Sequence, residues 1–316
     1  MKKISHTFYK IAALIVCTLP LASCIKEDLS DCIKEARIYF SYAPQTINPA
    51  DVDRMHLYVF SQNGLFVGDY RDNQINGFSS DYFIDISDLP SASYRFIAWG
   101  GKDEQYYATT PTLFVKGQTT FDEALLMLKH SGNTISTLVP HIFHANLSAT
   151  ILNIPTPQYF YMPLSQLSNT INIHTVGLPA QTDAFTFRIT DNNGAYKFDS
   201  SFAPQIHEPF TYSALCTTDN EDQLHATLHV LRLAANRRTA QMQLYNETTG
   251  TLLFPAGSQS GDLIGLILSA TPNVNFDTTH TYDIVLTFTG DGTTGFDVSV
   301  SVNGWMVQDE ENNLIE

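Results

Sequence analysis

Positive charge is scarce in this sequence. Lys and Arg number 17 against 32 Asp and Glu, so the formal net charge is −15 at pH 7. Nucleic acids and anionic membrane surfaces repel such a chain, and we predict no nucleic-acid partner. The chain has 316 residues, of which 43% are hydrophobic, and this is enough for two domains with cores of their own.

Motifs that would mark an enzyme are also lacking. Neither C-x-x-C nor G-x-S-x-G occurs in the sequence. Residues 290–295 match G-x-G-x-x-G, but a strand pattern follows them and not the helix that a dinucleotide site needs. These glycines predict a hairpin turn. We therefore predict that the protein is not an enzyme and takes no cofactor.

Patterns that would bind a metal are weak. His225 and His229 have a spacing that suits zinc on a helix, but on a strand it puts them about 13 Å apart. No aspartate falls in a D-x-D-x-D-G calcium loop. We therefore predict no metal site and interpret the remaining candidates as structural or surface residues: His141, His144, Asp51, Asp53, Asp85 and Asp88.

The N-terminus carries a hydrophobic run, but a short one. Residues 11–21 form an apolar segment of 11 residues after lysines at positions 2, 3 and 10. This is too short to span a bilayer and is typical of a signal peptide. The residues LASC at 21–24 match the bacterial lipobox, in which the cysteine is acylated and the peptide is cut just before it. We predict a mature chain that begins at an acylated Cys24; the alternative is an ordinary secreted protein.

Charged residues follow Cys24 at once. Lys26, Glu27 and Asp28 resemble the tag that sends lipoproteins to the outer face of the outer membrane in one group of Gram-negative bacteria; the alternative is a solvated tether. Removal of three lysines takes the net charge from −15 to −18. Cys32 and Cys216 then remain as a candidate disulfide in an oxidising compartment, although their separation in sequence leaves free thiols open.

Convincing amphipathic helices are scarce, whereas strand patterns recur along the chain. Apolar residues alternate in ARIYFSYA, in AFTFRITD and in FDVSVSV, and Asn63-Gly64 predicts a hairpin between MHLYVF and LFVGDY. Asn193-Gly194 predicts another turn, and ATLHVLRL and RTAQMQLYN are predicted to pair. The segment FDEALLMLKH fits either a helix or a strand.

Prolines indicate where the chain divides. Pro155, Pro157 and Pro163 fall within nine residues, and proline cannot sit in a central strand. We predict a signal peptide at 1–23, a lipidated tether at 24–35, an N-terminal domain at 36–159 and a C-terminal domain at 160–316. Each half holds several short strands, so the predicted fold is all-β, with two tandem β-sandwiches.

Short blocks spread over the mature chain resemble the FimB-like family of fimbrial anchor proteins, the fimbrillin-A-associated anchor subunits of type V pili. The blocks are CIKEDLSDC at 24–32, LYVFSQNGLFV at 57–67, YRFIAWGG at 94–101, FRITDNNGAY at 187–196 and VNGW at 302–305. The resemblance implies two transthyretin-like sandwich domains and a place at the base of a pilus, held in the outer membrane by the lipid. It also implies stalk pilins as partners, joined by β-strand complementation, and a role in limiting pilus length.

The resemblance also bears on both ends of the chain. Stalk pilins of this type lose an N-terminal strand by proteolysis after an arginine, whereas an anchor would keep it. The first arginine, Arg37, lies inside the predicted first strand, so we expect Cys24 and this strand to be retained. The C-terminal segment VNGWMVQDEENNLIE is a candidate donor strand; the alternative is a last native strand with an acidic tail.

Two other functions stay open. One is a surface glycan-binding lipoprotein of a nutrient uptake system, and the other is a tip adhesin of the same pilus class. Glycan-binding proteins display tryptophans or tyrosines that stack on sugar rings. This chain has only Trp99 and Trp305, which we predict in the core because both lie in strand patterns. Its 15 tyrosines leave the question open.

Overall fold

The structure is a computed structural model that describes residues 35–42, 47–130, 132–178, 183–204, 208–218, 223–290 and 296–307. This part of the chain is almost entirely β-structure, as predicted. The strands of its first half are β1 (Ala36–Ser41), β2 (Met55–Ser61), β3 (Phe66–Asp72), β4 (Phe83–Asp85), β5 (Ser93–Gly100), β6 (Tyr107–Thr110), β7 (Leu125–Leu128), β8 (Thr134–Ile135), β9 (Phe143–Thr150), β10 (Gln158–Pro163) and β11 (Ser165–Gln166). A 3₁₀ turn covers Pro49–Asp51.

The second half adds further strands and an α-helix, α1 (Leu263–Ala270). The strands are β12 (Ser168–Val176), β13 (Phe185–Asp191), β14 (Ala195–Lys197), β15 (Phe210–Leu215), β16 (Thr217–Thr218), β17 (Leu224–Leu231), β18 (Gln241–Asn246), β19 (Thr251–Phe254), β20 (Thr281–Thr289), β21 (Asp297–Val302) and β22 (Trp305–Met306).

Two sheets pack face to face in the first half. Sheet A has the order β10-β1-β4, and sheet B has the order β11-β9-β5-β2-β3. Alternation along β1 turns Ile38 and Phe40 inward, where they meet Leu57 and Phe96 of sheet B in one buried core. The neighbour of β1 on one side, β10, runs parallel to it, and β4 on the other side runs antiparallel.

A second pair of sheets forms the other core. Sheet D has the order β19-β18-β13-β15-β8, and sheet E has the order β16-β17-β12-β20-β21-β22. Period-two alternation buries Phe187 of β13 against residues such as Ile171 and Ile284 of sheet E. The helix α1 contributes Leu263 and Ile267 to the same core.

A small third sheet ties the two halves together. Sheet C has the order β14-β7-β6, so a strand from the second half pairs with two strands from the first. The outer face of sheet B lies over this region, and its Tyr58 and Trp99 are buried in the same cluster as Phe198, which follows β14. The halves are therefore joined by shared packing as well as by the chain itself.

Several local predictions are confirmed. Strands β2 and β3 form the hairpin predicted at Asn63-Gly64, where Gly64 has a φ of +77°. The strand β21 follows the glycines at 290–295 and pairs antiparallel with β20, although residues 291–295 themselves lie outside the described residues. Of the helix and the strand predicted for FDEALLMLKH, the strand is confirmed, because Leu125–Leu128 is β7.

Other local predictions are wrong or were missed. ATLHVLRL and RTAQMQLYN do not pair: β17 lies in sheet E and β18 in sheet D, on opposite sides of the core. The turn at Asn193-Gly194 does not make a hairpin of β13 with β14, since β14 crosses to pair with β7. The helix α1, which sequence analysis missed, starts at an N-cap in which Asp262 Oδ1 accepts the Gly265 N–H at 3.0 Å.

The strands at the join continue past the predicted boundary. β10 completes sheet A beside β1, and β11 pairs with β9 at the edge of sheet B. The first strand of sheet E, β12, begins at Ser168. The proline-rich segment thus leads into the edge strand β10. This strand ends at Pro163, which has no backbone N–H to donate to a neighbouring strand. The division into two domains remains a prediction.

Candidate functional site: the open sheet edge at the C-terminal hairpin

The C-terminal hairpin ends sheet E. β21 turns into β22 through Asn303 and Gly304, whose φ angles are +50° and +80°. Positive φ at both central residues is the type I′ geometry, whose twist matches that of paired strands, and Asn-Gly is the sequence that favours it. The VNGW stretch is thus a turn with a defined shape.

The turn is pinned to the neighbouring strand β20. The Asn303 N–H donates to the Asp283 carbonyl at 2.7 Å, and the Asp283 N–H donates to Asn303 Oδ1 at 2.8 Å. This reciprocal pair fixes the turn to β20 through hydrogen bonds that do not involve β22. The segment after Gly304 is therefore presented from a fixed point.

The strand β22 is short and open. It pairs with β21 only through Trp305 and Met306, and a bond from the Val307 N–H to the Val300 carbonyl, 2.8 Å long, follows. Trp305 is 67% exposed and Met306 is 58% exposed. No other strand of the described chain covers its outer edge. Unpaired backbone groups beside exposed apolar side chains are what an incoming strand recognises.

Other sheet edges carry features that discourage pairing. The edge strand β3 presents Asp69, Arg71 and Asp72, and charges along an edge oppose the approach of another strand. β10 ends sheet A with Pro163, which lacks an N–H. Among these three edges, the one at β22 is best suited to pair with a partner.

The tryptophans behave differently from each other. Trp99 is fully buried between His144 and Tyr196, as predicted. The prediction that Trp305 lies in the core is wrong. A strand pattern does not distinguish an edge strand from a central one, and both residues of β22 are exposed.

The first strand is the other element with a predicted role. Arg37 lies within β1, as expected, and β1 is the central strand of sheet A. Its guanidinium sits over the Phe83 ring at 4.5 Å and pairs with Glu35 at 3.2 Å. The bond after Arg37 thus belongs to a hydrogen-bonded strand between two neighbours.

Of the predicted modification and disulfide residues, the structure describes Cys216. Cys24, Lys26, Glu27, Asp28 and Cys32 lie outside the described residues. Cys216 is half-buried beside β15, where its N–H donates to the Phe185 carbonyl at 2.9 Å. Burial raises the pKa of its thiol to about 12. Its pairing with Cys32 remains a prediction.

Four of the described histidines lie in two pairs. His225 and His229 lie on β17, so the strand interpretation of their spacing is confirmed. His229 stacks on His141, and His225 lies across from His174. Within the described residues no three His, Cys, Asp or Glu side chains are placed to bind a metal ion. Likewise, none of the described helices has the length and apolarity needed to cross a membrane.

These sheets define an all-β protein with an open strand edge at β22. The family model for the fimbrillin-A associated anchor proteins Mfa1 and Mfa2 matches residues 29–311. The chain therefore belongs to this family, in agreement with the resemblance seen in its sequence. Membership supports a pilus-associated role at the cell surface. A search of curated proteins found no match.

Solved structures share the fold. The fimbrial anchor protein Mfa2 from Porphyromonas gingivalis matches with a TM-score of 0.68 and 21% identity, over 87% of this chain and 99% of that one. A protein from Bacteroides thetaiotaomicron, described as a candidate polysaccharide-binding protein, matches with a TM-score of 0.70 and 20% identity, over 88% and 99%. A candidate adhesin from Bacteroides ovatus matches with a TM-score of 0.67 and 18% identity, over 86% and 94%. At these identities the likeness concerns the fold.

Proposed function

We propose that the protein holds a fimbrium to the outer membrane as a surface lipoprotein. In this proposal Cys24 carries the acyl chains, and Lys26, Glu27 and Asp28 direct the protein to the outer face. More than one chain is needed for stable attachment, since each buried methylene contributes about 0.8 kcal/mol. The residues between Cys24 and Glu35 would then span about 40 Å at most when extended.

The observation that carries the proposal is the position of β1. This strand is hydrogen-bonded on both sides and supplies Ile38 and Phe40 to the core. Cleavage after Arg37 would remove the start of a central strand and separate the folded body from Cys24. A protein that keeps β1 keeps its attachment to the lipid, which is what an anchor requires and a polymerising stalk subunit does not.

The first pilin would join by strand complementation at the open edge of sheet E. A strand added beside β22 gains a row of backbone hydrogen bonds, while Trp305 and Met306 supply apolar contacts. In the alternative arrangement, the C-terminal residues from Trp305 onward detach from β21 and act as the donor strand, because few hydrogen bonds hold them to β21. By occupying the base, the protein would also set the length at which the filament stops growing.

The anchoring step is tested by comparing pili from cells with the gene, without it, and with the C24A variant. We expect filaments to be shed into the medium in both altered strains and to stay attached with the control variant Cys216→Ala. Filaments that remain attached without the gene would contradict the proposal. Protein found at the distal tips of the filaments would favour the tip adhesin.

The pairing step needs a separate test at the edge itself. Truncation after Trp305 removes the candidate donor, and the double substitution Trp305→Ser with Met306→Ser removes its apolar contacts. Cells that carry either variant should shed their filaments, while the variant protein stays acylated on the cell. Leu252→Ser, at the exposed edge strand β19, is the matched control. Attachment that survives the truncation would refute the donor role of this segment.

A further inference from the structure

The outer face of sheet A is an uncovered aromatic surface. Alternation turns Tyr39 of β1, Phe83 of β4, and Tyr159 and Tyr161 of β10 away from the core. We call these four residues the tyrosine face. Tyr161 is 64% exposed, Tyr159 is 47% exposed and Phe83 is 39% exposed. On the outer face of sheet B, by contrast, Tyr58 and Trp99 are buried in one cluster with residues of the second half of the chain.

Strand register aligns these rings. Tyr39 lies opposite Phe83 on one side and Tyr161 on the other, so three rings form a row across three neighbouring strands. Ring centroids are 5.4 Å apart between Tyr39 and Phe83, and 5.7 Å apart between Tyr39 and Tyr161. The planes of Tyr39 and Tyr161 differ by 25°. With strands about 4.8 Å apart, the row is about 10 Å long.

A polar row runs beside the aromatic one. Asp85, Arg37 and Tyr159 are opposite one another in the same register. Arg37 pairs with Glu35 at 3.2 Å and lies 3.9 Å from Asp85, and the Tyr159 hydroxyl donates to Glu35 at 3.1 Å. Among the described residues of this row Arg37 is the one cation, and carboxylates on either side of it already balance its charge.

We propose that the tyrosine face binds a neutral saccharide of two or more sugar units. The apolar C–H face of a sugar ring stacks on an aromatic ring, and a row of rings suits a chain of sugars. The guanidinium and carboxylates of Arg37, Glu35 and Asp85 supply donors and acceptors for the hydroxyl groups at its side. An anionic ligand would meet a surplus of carboxylate.

The shape of the surface also favours a saccharide over a protein partner or a bilayer. Protein hot spots fill desolvated pockets, whereas this face is flat, and two cavities of the described chain lie elsewhere, beside Gln166 and beside Arg95. Insertion into a bilayer would bury the carboxylates of Glu35 and Asp85 together with the guanidinium of Arg37, which is costly. A hydrated saccharide leaves these charges in water.

The test uses the folded chain from residue 25 onward in native gels that contain a neutral polysaccharide: xylan, mannan, amylopectin or hydroxyethylcellulose. We expect at least one to retard the protein. Tyr161→Ala should weaken retardation at least about tenfold, and Tyr161→Phe, which keeps the ring, should change it by less than about threefold. Leu113→Ala, an exposed apolar position outside this face (74% exposed), is the control.

Retardation by none of the four polysaccharides would overturn the proposal, as would retardation that Tyr161→Ala leaves unchanged. Tyr161-dependent binding to vesicles of a zwitterionic phospholipid, without retardation by any polysaccharide, would assign the face to the membrane and overturn it too. Circular dichroism of the variants checks that they fold. The result is independent of the anchoring proposal, because filament attachment is not measured.

Discussion

His141 and His229 stack face to face, with ring centroids 3.9 Å apart and planes 26° from parallel. His141 precedes β9 in the first half of the chain, and His229 lies on β17 in the second, so the stack links the two halves. Its rings are fixed by polar contacts: His141 Nδ1 lies 2.8 Å from Ser168 Oγ, and His229 Nδ1 donates to the Val139 carbonyl at 2.8 Å. Two imidazolium rings at this distance would repel each other, and both rings are largely buried, so the stack favours the uncharged forms.

This stack predicts a loss of stability in acid. Burial, followed by the neighbouring His229 and His280, lowers the pKa of His141 to about 3, and burial lowers the pKa of His229. In the unfolded chain both pKa values return to about 6.5. As the pH falls below 6.5, the unfolded state takes up protons that the folded state does not. The free energy of unfolding should then fall by up to about 1.4 kcal/mol per pH unit for each histidine.

Urea unfolding at pH 7 and pH 5 measures this effect. His141→Gln keeps a polar partner for Ser168 but removes the titrating group, so its free energy of unfolding should depend less on pH than that of the unaltered protein. His174→Gln, on the neighbouring strand β12, is the control. Equal pH dependence in the unaltered protein and in His141→Gln would show that this stack does not carry the effect.

The strands were predictable from sequence, but their partners were predictable only across short turns such as Asn63-Gly64. Alternation in β1, β13 and β21 specifies one buried face, and that pattern is local. Whether β17 pairs with β18 or crosses the sandwich depends on contacts far apart in the chain, which alternation does not encode. The helix α1 was missed because LIGLILSA is apolar on nearly every side, so it lacks the period that marks an amphipathic helix. The aromatic row of sheet A depends on the register of three strands from distant segments.

Gly101 occupies a position at which a side chain should not be tolerated. Its φ is +69°, and a Cβ there would lie 2.3 Å from the His141 carbonyl oxygen. Gly101→Ala should lower the free energy of unfolding by about 3 kcal/mol, because backbone strain adds to a clash that backbone must move to relieve. Gly117→Ala is the matched control: its φ is +72°, but nothing lies within 4 Å of the added Cβ. Similar losses in both variants, measured by urea unfolding, would exclude the clash as the cause.

Cys216 should be a slow nucleophile in the folded protein. Burial raises the pKa of its thiol to about 12, so the thiolate that reacts is rare at pH 8. After reduction, iodoacetamide should modify Cys216 at least about tenfold more slowly in buffer than in urea. Mass spectrometry of the peptide that contains Cys216 gives the rate. The same peptide without reduction reports whether the thiol is paired. Rapid modification of the folded, reduced protein would contradict the burial of this side chain.

Phe198 should couple the two halves during unfolding. It follows β14 in the second half, yet its ring lies 5.0 Å from that of Tyr58 and 5.9 Å from that of Trp99, both on the outer face of sheet B. Phe198→Ala removes these contacts and leaves a cavity, which should cost about 3–5 kcal/mol. Because Phe198 packs at the junction, we expect the unaltered protein to unfold in one transition and Phe198→Ala to unfold in two.

That split separates a coupling role from ordinary core packing. Phe40→Ala is the matched control, since Phe40 is equally buried but lies inside the core between sheets A and B. Phe40→Ala should lower the free energy of unfolding of the first sandwich. It leaves the contacts of Phe198 in place, so we do not expect the transition to split. Tryptophan fluorescence, measured with the substitution Trp305→Phe, follows Trp99 at the junction, and circular dichroism follows all the strands. Coincident transitions by both probes in Phe198→Ala would mean that the halves stay coupled without this ring, through the pairing of β14 with β7 and the histidine stack.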